Sequence, residues 1–408
     1  MMSENNNGKN ILVGMTGGIH STVCAYLLKK QGFRPIGISV VFFNDEVNLG
    51  PFEDVAIKDL NRVKKTCEFL DIPFYAVNAS ELFQDQVTDP LVGRVLSGQS
   101  FSPEIFYIKV LIEALLQKCS KFNTDLLALG LYAKVLKNQK TGSYELMVAN
   151  DYHHDQSILL SSTDEGLLKN LLLPLAEIRE TEVQKIGQLI KVPFEDVGPI
   201  SKFNFRTDPR MPQFIDQFAP HDLKRPGNIY HYTLENSICE HPGIHHFYIG
   251  QNNLEISKEI KIDPELSIIS IVPYKGSVYI DAPNKLKFQH VFISRFKYFG
   301  EFDFSKPIAG YAMTFKFETK KPCKIYFKNN GCVLVEFLNV EVGFLVPGEH
   351  MTFYSRALEK GKVLGGGIIE VAGVFEKDGY HSLPLKKDKN DEEVQVDPRY
   401  TLFDKLQF

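Results

Sequence analysis

Over the first half of the chain, apolar runs alternate with amphipathic stretches. Ile11-Leu-Val13, Pro35-Ile-Gly-Ile-Ser-Val-Val-Phe-Phe43 and Phe74-Tyr-Ala-Val-Asn78 have the length and apolar content of strands. Between them, Ser21 to about Gly32 and about Asp54 to Leu70 read as helices, as does the stretch around Thr181 that ends before Val192-Pro193. Strands alternating with helices predict a doubly wound parallel sheet with ligands at the carboxyl ends of its strands. From Ser267 the pattern changes to short strands between turns: Ser277–Ile280, Lys287–Ile293, Tyr311–Phe317, Lys324–Phe327 and Cys332–Phe337. That spacing predicts a closed β-barrel. The reading is thus an α/β domain over 1–205, a small central domain over 206–270 and a β-barrel domain over 271–408.

Composition changes this picture little. The chain has 408 residues, 44% of them hydrophobic and 24% charged, which suits a globular protein of two or three domains. No apolar run is long enough to span a membrane and the first nine residues are polar, so no membrane role and a cytoplasmic location are expected. A net charge of −4 makes no global case for nucleic acid; any RNA surface must be a local patch. Six scattered cysteines without a Cys-x-x-Cys pair suggest neither a disulfide framework nor a zinc site, and Cys24, Cys67 and Cys119 read as core thiols. The histidines His231, His241, His245 and His246 read as a surface β-hairpin rather than a metal site, and the adjacent pair His153 and His154 lacks a ligand-spaced partner.

The chemistry starts at Gly14-Met-Thr-Gly-Gly-Ile-His-Ser-Thr22. A buried strand enters, glycines let the backbone turn, and a helix begins near Ser21, so unpaired N–H groups and the helix dipole face one point. Such a turn cradles an anion. Alternatively, it is the tight turn that opens any α/β domain.

Thr16-Gly17-Gly18-Ile19-His20-Ser21-Thr22-Val23 resembles the Ser-Gly-Gly-x-Asp-Ser-Ser-Val loop of PP-loop ATP pyrophosphatases, and more narrowly that of the tRNA-specific 2-thiouridylase family. Gly93 to Lys109 resembles the family's Gly-x-Thr-Pro-Asn-Pro-Cys-x-x-Cys-Asn segment, Asp125 to Val135 its Asp-x-x-Ala-Thr-Gly-His-Tyr-Ala-Arg-Val, and Asp155-Gln-Ser157 its Lys-Asp-Gln-Ser. Leu171 to Val183 resembles Phe-Pro-Leu-Gly-x-Leu-x-Lys-x-Glu-Val. Arg225-Pro-Gly-Asn-Ile and Glu240 to Gln251 match the small central domain, and Val363-Leu-Gly-Gly-Gly-Ile-Ile-Glu370 nearly reproduces the terminal signature. The resemblance spans nearly the whole chain.

The family adenylates the wobble uridine of tRNA and exchanges its O2 for sulfur, so the resemblance implies ATP, magnesium and tRNA. It assigns nucleotide contacts to Gly14, Thr16, Gly17, Gly18, His20, Ser21, Thr22, Phe43 and Gly130. It assigns tRNA contacts to Lys109, Lys134, Asp155, Gln156, Ser157, Lys202 and Arg206, although Asp155 and Ser157 also suit a turn or cap. The departures fall on the reactive positions. His20 replaces the loop Asp, and an imidazole cannot replace a hard carboxylate ligand of magnesium. Glu104 stands at the first catalytic Cys, Tyr107 at the second Cys of that segment, Leu131 at the His, and Asn204 (or Phe205) at the other catalytic Cys. A carboxylate cannot carry a persulfide. The expectation is a thiouridylase-like protein without sulfur transfer, binding tRNA or a protein partner. The alternatives are an active enzyme with a cysteine-independent or partner-supplied sulfur route, Glu104 being a candidate base, and an interaction protein that no longer touches RNA.

Overall fold

The computed structural model describes residues 8–43, 47–57, 59–191, 205–220, 226–254, 262–328, 331–338, 342–343, 345–376 and 379–382. β1 (Asn10–Gly14), β2 (Arg34–Val41), β3 (Phe74–Asn78), β4 (Leu127–Ala128) and β5 (Leu171–Leu172) form one sheet in the order β3-β2-β1-β4-β5, every pair parallel. The order reverses between β1 and β4, which opens a crevice at their carboxyl ends. The first helix, α1 (Ile19–Lys30), starts directly above that crevice and carries Lys29 and Lys30 in its last turn, where they complement the dipole. The helix expected from about Asp54 is divided into a 3₁₀ turn, Gly50–Asp54, and α2 (Leu60–Phe69). Asp59 makes the division: its carboxylate accepts from the N–H groups of Asn61 and Arg62 and caps α2. The long helix α3 (Pro103–Cys119) has proline at its first position, and α4 (Glu180–Ile190) and α5 (Met211–Phe218) follow.

Among the described residues the second half contains two large sheets and a two-stranded one, Lys287–Phe288 with Val342–Gly343. Gly227–His231 and Asn236–His241 form a hairpin that joins Ser277–Asp281 and Ser267–Val272 in a four-stranded sheet. The strand Ser277–Asp281, expected among the barrel strands, therefore lies here, because Val278–Ile280 pairs in parallel with Ile229–His231. The barrel is a ring of six strands: His290–Tyr298, Val333–Phe337, Lys321–Phe327, Ile308–Met313, His350–Tyr354 and Val363–Glu376. It closes because His290–Tyr298 pairs with both Val333–Phe337 and Val363–Glu376. Ile229, Val278 and Ile280 of the four-stranded sheet share one apolar core with Val291, Ile325, Val335 and Phe353 of the barrel.

A hydrogen-bonded seam joins the barrel to the loop before α3. The Ser100 N–H donates to Pro347 O at 2.8 Å and the His350 N–H to Ser102 Oγ at 3.0 Å. Ser102 precedes α3 but does not cap it, since its hydroxyl serves the barrel strand instead. Gly348 sits at φ +94°, and a Cβ there would lie 1.9 Å from Ser100 O, so only glycine allows this approach. Further in, His350 Nε2 bonds Ser161 Oγ at 2.8 Å and Thr352 Oγ1 donates to the same hydroxyl at 2.7 Å.

Candidate functional site

The turn after β1 is held by its own side chains. Thr16 holds it: its N–H donates to Ser21 Oγ at 3.2 Å and its Oγ1 accepts from the Gly18 N–H at 3.3 Å. Ser21 and Thr22 donate their hydroxyls back to Gly18 O. Ile19, His20 and Ser21 form the first turn of α1, where N–H groups have no intrahelical acceptor. Gly130 closes the other wall, since a Cβ there would lie 2.6 Å from His20 O.

Above the turn lies a cavity of about 130 Å³ lined by Gly14, Thr16, Gly18, His20, Ser21 and Gly130 of the predicted nucleotide set, together with Gln156. Ile38, Val40 and Phe42 supply one apolar wall, and Tyr107, Ile108, Leu111, Leu129 and Leu131 another. Gly17, Thr22 and Phe43 are not in that lining. Strand alternation explains the last: 38, 40 and 42 face the cavity, whereas Phe43 turns to Phe52 and Phe83. Among the described residues the lining has no carboxylate, lysine or arginine. Two apolar walls therefore flank the N-terminal end of α1.

His20 reaches across to a second helix. Its Nε2 lies 2.9 Å from Glu180 Oε2, at the start of α4, and the Tyr132 hydroxyl donates to the same oxygen. Gln184 Nε2 donates to the other carboxylate oxygen at 2.8 Å. Burial pushes the Glu180 carboxyl up, but hydrogen bonds from Tyr132, Gln184 and His20 outweigh it and hold the group below its usual range. Burial and then the bond to Glu180 push the Tyr132 phenol up. In the pattern Leu-Gly-x-Leu-x-Lys-x-Glu-Val, residue 180 falls on the lysine and residue 20 on the loop aspartate. Both positions thus depart from the pattern, and the two side chains meet in space. Reading the motifs one by one could not bring 20 and 180 together.

Glu104 occupies the other reactive position, in the first turn of α3, and is only 4% exposed. Burial pushes its carboxyl up to about 8; bonds from its own N–H and from that of Phe205 oppose this, and the nearby Glu349 charge adds to it. Glu349 is itself buried beside the seam, ion-paired with Lys316, and accepts from Ser100 Oγ at 3.2 Å. Tyr107, at the segment's second Cys position, packs edge-on against Phe42. Burial pushes up the thiols of all six cysteines, Cys67 and Cys323 to about 12. None is a poised thiolate.

The predicted tRNA set is dispersed. Lys109 pairs with Glu113 at 3.6 Å, and Lys134 with Glu177. Asp155 accepts from the Ala149 N–H and from both the N–H and Oγ of Ser157, closing a turn. Gln156 is buried; its N–H donates to Tyr132 O and its Oε1 accepts from the Tyr132 N–H, so it pins the Leu131-Tyr132 segment beside the cavity. Lys202 and Asn204 lie outside the described residues, as does the side chain of Arg206. Sequence reading missed Phe42, Glu180, Lys316 and Glu349. Only the first had a local signal, the two-residue period of β2.

The expected hairpin of histidines is partly realised. His231 and His241 are on its strands, but His245 and His246 lie beyond it in the 3₁₀ turn Ile244–His246.

Comparison with known proteins agrees with this architecture. The family described as tRNA methyl transferase HUP domain matches residues 9–197. A tRNA-specific 2-thiouridylase MnmA 1 of Caldanaerobacter subterraneus subsp. tengcongensis is 31% identical over 372 residues, covering 88% of this chain and 97% of that protein. The tRNA-specific 2-thiouridylase MnmA of Clostridium perfringens is 28% identical over 371 residues, 89% of this chain and 98% of that one. This chain therefore belongs to the tRNA-specific 2-thiouridylase (MnmA) family.

Proposed function

We propose that this protein is a tRNA-binding member of its family that has given up thiol-based sulfur transfer. The observation that carries the reading is Glu104: the reactive position holds a buried carboxyl group pushed up to about 8, packed at the seam with the barrel. At neutral pH it is mostly protonated, with no lone thiolate pair to attack an acceptor and no sulfur to carry. The raised thiols of all six cysteines support the same conclusion.

The β1–α1 turn keeps its N–H donors and its apolar wall, which suit the phosphate and base of an adenine nucleotide. The N–H groups of the first turn of α1, at Ile19, His20 and Ser21, would hold the phosphate. Among the described residues the lining offers no carboxylate for magnesium, and the imidazole of His20 is engaged by Glu180. We therefore assign this cleft to nucleotide binding without magnesium-dependent adenylation.

The binding half is tested with purified protein and labelled tRNA across a salt series. Retained binding whose affinity falls steeply with salt supports the reading, because phosphate contacts release counterions. No binding at low salt by folded protein would overturn it in favour of an interaction protein that does not touch RNA.

A further inference from the structure

A cluster of possible metal ligands lies outside the nucleotide cleft. Asp216 on α5 and the neighbouring His245 and His246 bring one ligand atom each to within 4.8 Å of the others. The donors are two imidazoles and one carboxylate, a set that suits zinc and other divalent first-row metals. We propose that Asp216, His245 and His246 form a binding site for one such ion.

The geometry is close to what an ion needs. Asp216 Oδ1 and His245 Nε2 are 3.3 Å apart. Metal–ligand bonds of about 2.0–2.1 Å at a tetrahedral angle give a ligand–ligand edge of about 3.3–3.4 Å. The pair already spans one edge of such a site. The His245 and His246 rings have centroids 4.4 Å apart and are inclined at 48°, and the His246 ligand atom, within 4.8 Å of the other two, would move in by up to about 1.5 Å to complete the site. His245 is 3% exposed and fixed by packing, whereas Asp216 is accessible and can adjust.

The surroundings supply an open position. Both histidines line a cavity of about 200 Å³, together with Ser100, Pro103, Asp208 and Tyr248. Water or a small anionic group can reach a three-ligand ion from that side, as in sites that keep one coordination position for solvent. An ion here would also tie the turn Ile244–His246 to α5 more firmly than the Asp216–His245 ion pair does. None of these three residues belongs to the predicted tRNA set.

Cobalt(II) is the probe, because tetrahedral cobalt absorbs visibly and thiolate ligation adds a separate charge-transfer band. Chelator-treated full-length protein is titrated with cobalt(II) and then competed with zinc(II). The expected result is one ion per chain with tetrahedral absorption, no thiolate band, and displacement by zinc. The double variant Asp216→Asn/His246→Gln, made at the two more accessible ligands, should weaken binding by about 100-fold or more. Its unchanged far-ultraviolet circular dichroism would show that the fold is retained. Wild-type protein that takes up no cobalt or zinc, a thiolate band, or equal affinity in the double variant would each overturn the proposal and leave an Asp216–His245 ion pair.

Discussion

Replacing Glu104 with glutamine should stabilise this protein, and by an amount that depends on pH. The carboxyl has an ordinary value of 4.5 and is pushed up to about 8 when folded. Between those values the folded chain binds more protons than the unfolded one, so stability falls as pH rises through the window. The gap of roughly 3.5 pH units corresponds to a ceiling of about 5 kcal/mol once both states are ionised, and about 3 kcal/mol near pH 7. Glutamine keeps the shape, keeps an acceptor for the N–H groups of Glu104's own residue and Phe205, and never ionises. The variant should match the wild type near pH 4.5, gain on the order of 3 kcal/mol near pH 7, and reach its full advantage above pH 8. Its neighbours do not reverse the sign: Glu349 repels an ionised Glu104, Lys316 is ion-paired with Glu349, and burial pushes His350 down to about 3, so that it is neutral throughout. The assay is urea unfolding of both proteins at a series of pH values, comparing midpoints at matched slope. A variant equally displaced from wild type at every pH, or less stable at high pH, would refute the reasoning.

Two further predictions follow from the same contacts. His20→Asp should destabilise the protein by about 1–3 kcal/mol, because it sets a second carboxylate against Glu180; adding Glu180→Lys should restore most of the loss, as a double-mutant cycle of thermal melts would reveal. Gly348→Ala should cost about 2–4 kcal/mol, since the left-handed backbone and the contact with Ser100 O both resist a methyl group, and amide exchange at Ser100 should accelerate selectively.

Much of the fold was legible because hydrophobic periodicity is a local property. The runs around Ile11, Ile36 and Phe74 became parallel strands, and the short strands of the second half became a barrel. Where reading failed, the cause was not local. Nothing in Ser277–Ile280 announces that its partner is Ile229 rather than a barrel strand. The turn was readable at Gly14–Ser21, yet its meaning changed once His20 met Glu180, 160 positions away. Glu104 was legible as a chemical departure, but its burial against Glu349 depends on a seam that only the folded chain makes. Likewise, Asp216 had no sequence signature linking it to His245.

The central claim is most directly tested by counting 2-thiouridine. Purified protein is incubated with tRNA, ATP, magnesium and a sulfide donor, beside an authentic thiouridylase, and the digested tRNA is analysed by mass spectrometry. The account predicts thiouridine in the control and none above background with this protein. Thiouridine accumulating in proportion to this protein would contradict it and require a sulfur route that does not pass through a thiol at position 104.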